Sequence, residues 1–186
     1  MKLFYSLILL TFCFPVFGQD KLANTITLGT NVGSFDHSAG YGPVFFVDYD
    51  LSITKYIKIS PHIQIASASS VNQYIDMGTM VNINKMTNSY ESGLLLKVVP
   101  LPTHFDRLKI IVGFSYLMEN TLKSDSGNLS NRNLLKQSGL NTNVGLDLDV
   151  IKIKNFRIGL DARVNTSNNR ILLYHFGFVT AIRLAN

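Results

Sequence analysis

The chain has 186 residues, with Lys+Arg 17 against Asp+Glu 12, 46% hydrophobic and only 16% charged residues. That length fits one domain, and the apolar content is too high for a disordered chain. The excess of +5 is mild and scattered, which argues against a nucleic-acid-binding surface. No run of ~18 apolar residues follows the N-terminal segment, so a helical membrane protein is excluded.

Met1-Lys2 is a short positive start, and Leu3 through Phe17 is almost wholly apolar. Val16-Phe17-Gly18 has the small or tolerated residues of a cleavage site, and Gln19-Asp20 turns polar. Residues 1–18 therefore read as a secretory signal peptide cut after Gly18, with residues 19–186 as the mature domain. The sole cysteine, Cys13, lies in the removed segment, flanked by Phe12 and Phe14-Pro15, which do not suit lipidation. The mature chain then has no thiol for disulfides, catalysis or metal binding.

The remainder alternates with period two, the mark of two-faced strands. Eight stretches are predicted, at 24–33, 42–53, 56–67, 89–99, 108–118, 139–151, 156–165 and 171–185. The third places Ile57, Ile59, Pro61, Ile63 and Ile65 on one face and Lys58, Ser60, His62 and Gln64 on the other. The sixth sets Leu140, Val144, Leu146 and Leu148 against Asn141, Asn143, Gly145, Asp147 and Asp149, and the seventh sets Phe156, Ile158, Leu160, Ala162 and Val164 against Arg157, Gly159, Asp161 and Arg163. Pro43 and Pro61 are unfavourable for a ladder paired on both sides.

The connections alternate too. Those near 53–55, 101–107 and 152–155 are short, and those at 68–88 and 119–137 are long. Short turns at one end and longer loops at the other, with an even strand number, is the pattern of a transmembrane barrel. A strand of ~10 residues tilted by about 40° spans roughly 25 Å, the height of the apolar band.

Three features turn the apolar face toward lipid rather than toward a lipocalin-like interior cavity. Gly29, Gly93, Gly113, Gly145, Gly159 and Gly177 all fall on the polar face, where a narrow lumen needs room for long side chains. The same face carries both charge signs: Asp48, Asp50, Lys58, Glu91, Lys97, Lys109, Asp147, Asp149, Arg157, Asp161, Arg163 and Arg183. The apolar face is long and nearly free of charge. Simple turns would set Asp50 across from Lys58 and Asp149 across from Arg157, each pair adding about 0.2–1 kcal/mol. The same reasoning sets Lys97 across from Lys109, which demands an offset register or two lysines reaching for the rim. Tyr41, Tyr56, Tyr90, Tyr116, Phe156 and Tyr174 suit aromatic girdles.

Signal peptide, eight amphipathic strands and the aromatic-rich final strand Tyr174–Leu184 resemble the small outer-membrane β-barrel families of the OmpA/OmpX type. The resemblance covers essentially all of 24–186. It implies an all-β, eight-stranded antiparallel up-and-down transmembrane β-barrel in a Gram-negative outer membrane, with both termini periplasmic. It also implies that the last strand, which ends Leu184-Ala185-Asn186, is read by the barrel-assembly machinery.

An eight-stranded lumen is just wide enough to be filled by side chains, so the polar face is expected to be a packed ion-pair network rather than a pore. The histidines His37, His62, His104 and His175 lack metal-ligand spacing, and His62 and His175 are expected in the lumen. Ser60, His62 and Glu91 share the polar face, but a deacylase triad there would point away from the acyl chains. The sequence thus assigns no catalytic, cofactor-binding or metal-ligating residue. The expected role is structural or adhesion-like, in a monomer surrounded by outer-membrane lipids and without nucleic acid. The alternatives are a lipid A-modifying enzyme and a soluble lipocalin-like binder of an apolar ligand. Loop 68–88, with Met77, Met80, Met86, Val71, Val81, Ile75, Ile83 and Tyr74, is more apolar than a solvated linker, and reads either as a hairpin turning near Met77-Gly78 or as a mobile, partly ordered loop with no partner. In the first reading, its exposed edge would take an extracellular partner by strand addition. The stretch 119–137 is Ser/Asn/Lys-rich and reads as a solvated loop.

Overall fold

The structure, a computed structural model, describes residues 24–35, 40–54, 56–76, 79–100, 107–125, 132–167 and 170–184. The proposed cleavage site after Gly18, Cys13, His37, His104 and the Met77-Gly78 turn lie outside the described residues. The strands are β1 (Thr25–Phe35), β2 (Gly40–Ser52), β3 (Ile57–Asp76), β4 (Thr79–Val98), β5 (Leu108–Asp125), β6 (Arg132–Ile153), β7 (Phe156–Ser167) and β8 (Arg170–Arg183). Each pairs antiparallel with the next, and β1 pairs with β8 to close the barrel. Closure leaves no free edge at the level of the apolar band, which a strand in hydrocarbon requires.

Side chains alternate as the sequence pattern demands. Along β3, Ser60, His62, Gln64 and Ala66 are buried in the lumen, while Ile63 and Ile65 are exposed on the outer wall. Phe114, Phe176 and Phe178 are among the most exposed side chains. An interior of ions and an exterior of Phe, Leu, Ile and Val inverts a soluble barrel. Among the described residues the lumen is lined mainly by polar and charged side chains, so the soluble lipocalin-like alternative gains no support from the facing of the strands. Tyr56 and Phe156 lie beside the short turns, and Tyr41 and Tyr174 lie near the far ends of short strands, all pointing outward or partly outward.

The tight ends are built locally. The Thr54 hydroxyl accepts from the Tyr56 and Ile57 amides at 3.1 and 3.0 Å, pinning the β2–β3 turn. Lys154-Asn155 joins β6 to β7 as a two-residue loop between the paired Ile153 and Phe156.

The strands differ sharply in length. β1, β2, β7 and β8 have 11, 13, 12 and 14 residues, close to what the apolar band needs. β3, β4, β5 and β6 have 20, 20, 18 and 22. The surplus lies at the end away from the short turns, so these four strands rise out of the barrel as one sheet. Of the two readings of 68–88, the hairpin is the one the described residues show: β3 and β4 stay paired to Asp76↔Thr79. The reading of 119–137 as a loop is corrected at 119–125 and 132–137, which are strand, while 126–131 lie outside the described residues. β5 and β6 remain paired out to Ser124↔Arg132. A polar Ser/Asn/Lys composition does not prevent pairing when neighbouring β4 offers a ladder to build on, because strand preference follows the surroundings more than the residue.

The simple turns assumed for the hairpins are also corrected. Asp48↔His62 and Leu51↔Ile59 set Ser60, not Lys58, abreast of Asp50. Asp149 faces Gly159, and an irregularity between Asp149 and Ile151 sets Arg157 opposite Lys152. The ion pairs nevertheless form on the diagonal, because long side chains lean along the strand. Lys97 faces Ile111, so the register is offset from the assumed one and both Lys97 and Lys109 stay buried in the lumen instead of reaching the rim.

Candidate functional site

The lumen is filled by side chains from all eight strands. Asp48 on β2 lies at its centre, bonded by Lys97 Nζ at 2.7 Å, by Arg163 Nη2 at 2.8 Å and by the His62 imidazole. Lys97 bridges to Asp50 at 2.7 Å, and Asp50 also accepts from the Ser60 hydroxyl at 2.7 Å. Arg157 reaches Asp149 at 2.6 Å and Asp147 at 3.2 Å, and Lys109 reaches the same two at 2.8 and 3.5 Å. Arg163 Nε holds Asp161 at 2.9 Å, and Asn31 donates to the same carboxylate at 3.0 Å. The aspartates 48, 50, 147, 149 and 161 are thus matched by Lys58, Lys97, Lys109, Arg157 and Arg163. Removing such charges from water is costly unless each is paired, and each of these side chains has an opposite charge within 4.0 Å, although Asp147 Oδ1 and Arg157 Nε make no hydrogen bond.

Glu91 lies above this network and accepts from the Ser115 hydroxyl and the Asn165 amide. Ser60, His62 and Glu91 do not form a triad. Ser60 bonds Asp50, His62 bonds Asp48, and Glu91 bonds Ser115. All three are sealed inside, away from any lipid substrate. His62 and His175 are in the lumen as expected. Arg183 shares the inward parity but is exposed at the end of β8.

Apolar residues in the lumen were not foreseen. Phe46 is buried among the charges, with the Arg163 guanidinium 3.8 Å above its ring. It faces Gly29 across the β1–β2 ladder, and a Cβ on Gly29 would lie 2.1 Å from two carbons of the Phe46 ring. That close approach is the reason for glycine there. The pairing was legible in principle, since a glycine on the crowded face signals a large neighbour. Nearer the emergent sheet, Phe35, Val44, Ala66, Ala68 and Leu173 pack into a buried apolar cluster inside the barrel. Ions below and apolar side chains above fill the lumen rather than line a conduit.

Beyond this cluster, β2 pairs with β3 only as far as Tyr41↔Ser69, and β7 with β6 only as far as Thr142↔Thr166. Among the described residues, the outer parts of β3 (71–76) and β6 (132–139) therefore have a strand neighbour on one side only. On that sheet Val71, Met86, Leu134 and Leu135 are exposed. Lys85 on β4 is directly opposite Lys123 on β5. Partial burial, and then the Lys123 charge, hold the Lys85 ammonium below its ordinary value.

No family model matches the chain, and no curated protein matches it by sequence. Solved structures do match. The crystal structure of Ail, the attachment invasion locus protein of Yersinia pestis, is similar at TM-score 0.50 and 10% identity, over 87% of this chain and 97% of that one. A major outer membrane protein from Thermus thermophilus is similar at TM-score 0.55 and 11% identity, over 88% of this chain and 100% of that one. The chain folds as a small eight-stranded outer-membrane β-barrel. At such identities the likeness is one of fold alone. This barrel's own features are the plugged lumen and the sheet that outgrows it.

Proposed function

We propose that this barrel sits as a monomer in the outer membrane of a Gram-negative bacterium, after removal of residues 1–18. There it contributes to envelope structure and presents its emergent sheet to an extracellular partner, in an adhesion-like, non-enzymatic role. β8 would be the strand read by the barrel-assembly machinery. The observation that carries the reading is the overshoot of β3–β6 beyond the length needed to cross the membrane. Ordering that much extra strand has an entropic cost, and among the described residues it leaves rows of backbone donors and acceptors without a strand neighbour at 71–76 and 132–139. An extended segment of a partner can add to such an edge, with main-chain hydrogen bonds for affinity and Leu134, Leu135 or Val71 for side-chain contact.

The filled lumen argues against a diffusion pore. The scattered Ser60, His62 and Glu91 argue against turnover of lipid A. A mass profile of lipid A unchanged by expression of the protein is the expected result.

Location and topology are tested together by Val71→Cys, the only thiol the mature chain would have. A membrane-impermeant maleimide is expected to label it on intact cells, in the outer-membrane fraction. Labelling only after permeabilisation would overturn the topology. Amide exchange in micelles tests the sheet itself: slow exchange is expected for paired 82–90, and fast exchange throughout 68–88 would leave nothing ordered to present.

A further inference from the structure

Glu91 is a carboxylate of the lumen to which no cation comes, and it is 2% exposed. Lys58, Lys97, Lys109, Arg157 and Arg163 are each taken by aspartates. Among the described residues none of them, nor any other cation, pairs with Glu91. Its oxygens accept instead from neutral groups, Oε1 from the Ser115 hydroxyl and Oε2 from the Asn165 amide. The Asn143 amide donates to Ser115 Oγ at 2.8 Å, which leaves the hydroxyl's own hydrogen for Glu91. Close by are neutral oxygens that make no hydrogen bond: Gln64 Oε1, Ser89 Oγ, Asn141 Oδ1 and Asn165 Oδ1. All four residues are buried as deeply as Glu91. The register gathers them. Gln64 on β3 is abreast of Glu91, Ser89 precedes it by two on the same face of β4, and Asn141 on β6 is abreast of Ser115. Asn165 reaches Glu91 from β7 with the same amide that bears the orphaned oxygen.

We propose that Glu91 anchors a binding site for one monovalent metal cation, an alkali ion such as sodium or potassium. The oxygens of Gln64, Ser89, Asn141 and Asn165 complete it. A buried ionised group has to be paired or has to coordinate a metal. Orphaned buried polar atoms call for a water or an ion. An alkali ion meets both demands at once, because it brings the missing charge and takes oxygen ligands. The site selects the valence. One carboxylate balances one positive charge, and a divalent ion would leave a net charge buried, since the nearby aspartates already have their own lysines and arginines. The amide nitrogens of Gln64 and Asn141 are orphaned too, which suits a water carried in with the ion. On β3, Gln64 lies between His62, which bonds Asp48, and Ala66 of the apolar cluster. The ion is therefore held between the ion-pair network and that cluster, and it is taken up as the barrel closes. The site is inside the barrel and independent of what the emergent sheet binds.

The test uses the full mature barrel, unfolded in urea and refolded in detergent. Sodium, potassium, calcium and choline chlorides are compared at equal ionic strength. Choline screens surface charge as an alkali ion does but is too large for the site. Wild type is expected to have a higher urea midpoint in sodium or potassium than in choline. Above the dissociation constant, each tenfold rise in the alkali ion should raise the folding constant about tenfold. Glu91→Gln keeps the shape and removes the charge, and its midpoint is expected to be the same in alkali and choline salts. Gln64→Met is expected to need several-fold more alkali ion for the same gain, and it keeps the test open where Glu91→Gln fails to fold. Heat-modifiable gel migration shows independently whether each variant is folded. Equal wild-type midpoints in alkali and choline salts would overturn the proposal. So would an alkali gain that survives undiminished in Glu91→Gln or Gln64→Met, or a Glu91-dependent gain from calcium larger than that from the alkali ions.

Discussion

Arg163 on β7 spans the lumen to Asp48 on β2, with Nη2 2.8 Å from Oδ2 and both side chains buried. The two strands are not neighbours in the barrel order, so the contact is a strut across the tube rather than a ladder pair. The same guanidinium holds Asp161 and covers Phe46. Removing one member of such a group leaves a buried charge without its partner. Arg163→Ala is expected to lower stability by about 3–5 kcal/mol, read as the urea midpoint of the barrel refolded in detergent. Removing Asp48 together with Arg163 should be less harmful than the sum of the single changes, because the two residues share partners.

The Gly29–Phe46 approach gives a sharper test. Gly29→Leu puts side-chain atoms where the ring lies, and the heat-modifiable folded form is expected to be lost. Adding Phe46→Ala vacates that space, and the folded form is expected to return. Failure of the double variant to refold would mean that something besides the ring requires glycine.

The band and the emergent sheet should respond differently to charge. Leu94→Arg places a cation on the lipid-facing wall and is expected to destabilise by ~2–4 kcal/mol. Met86→Arg, on the same strand but beyond the band, is expected to fall within about 0.5 kcal/mol of wild type. Equal penalties for the two would mean that the membrane boundary does not fall between them.

Lys85 and Lys123 are like charges directly opposite each other on the emergent sheet. Such pairs destabilise by about 0.2–1 kcal/mol, and Lys123→Glu is expected to reverse the sign and raise the melting temperature. The gain should shrink as salt is raised. The direction of the Lys85 shift adds a pH signature. Its native value lies below the unfolded one, so between the two the unfolded chain binds more protons. Stability from this group therefore rises as pH increases through that window, and Lys123→Gln should flatten the rise.

The sequence by itself determined the barrel class and the facing of the strands. Period-two alternation is a local property: once Ile63 points outward, His62 and Gln64 must point inward, whatever the rest of the chain does. Glycines and mixed charge on one face then marked the inside. Only the tertiary structure decided the register and the reach of the strands. Lys97 facing Ile111 rather than Lys109, and Asp149 meeting Arg157 on the diagonal, depend on turns and an irregularity that leave no periodic trace. The extension of β5 and β6 through a Ser/Asn/Lys-rich stretch depends on β4 being there to pair with, which composition does not report. In the apolar cluster, Leu173 of β8 becomes a neighbour of Phe35 only when β1 meets β8 and the sheet closes on itself.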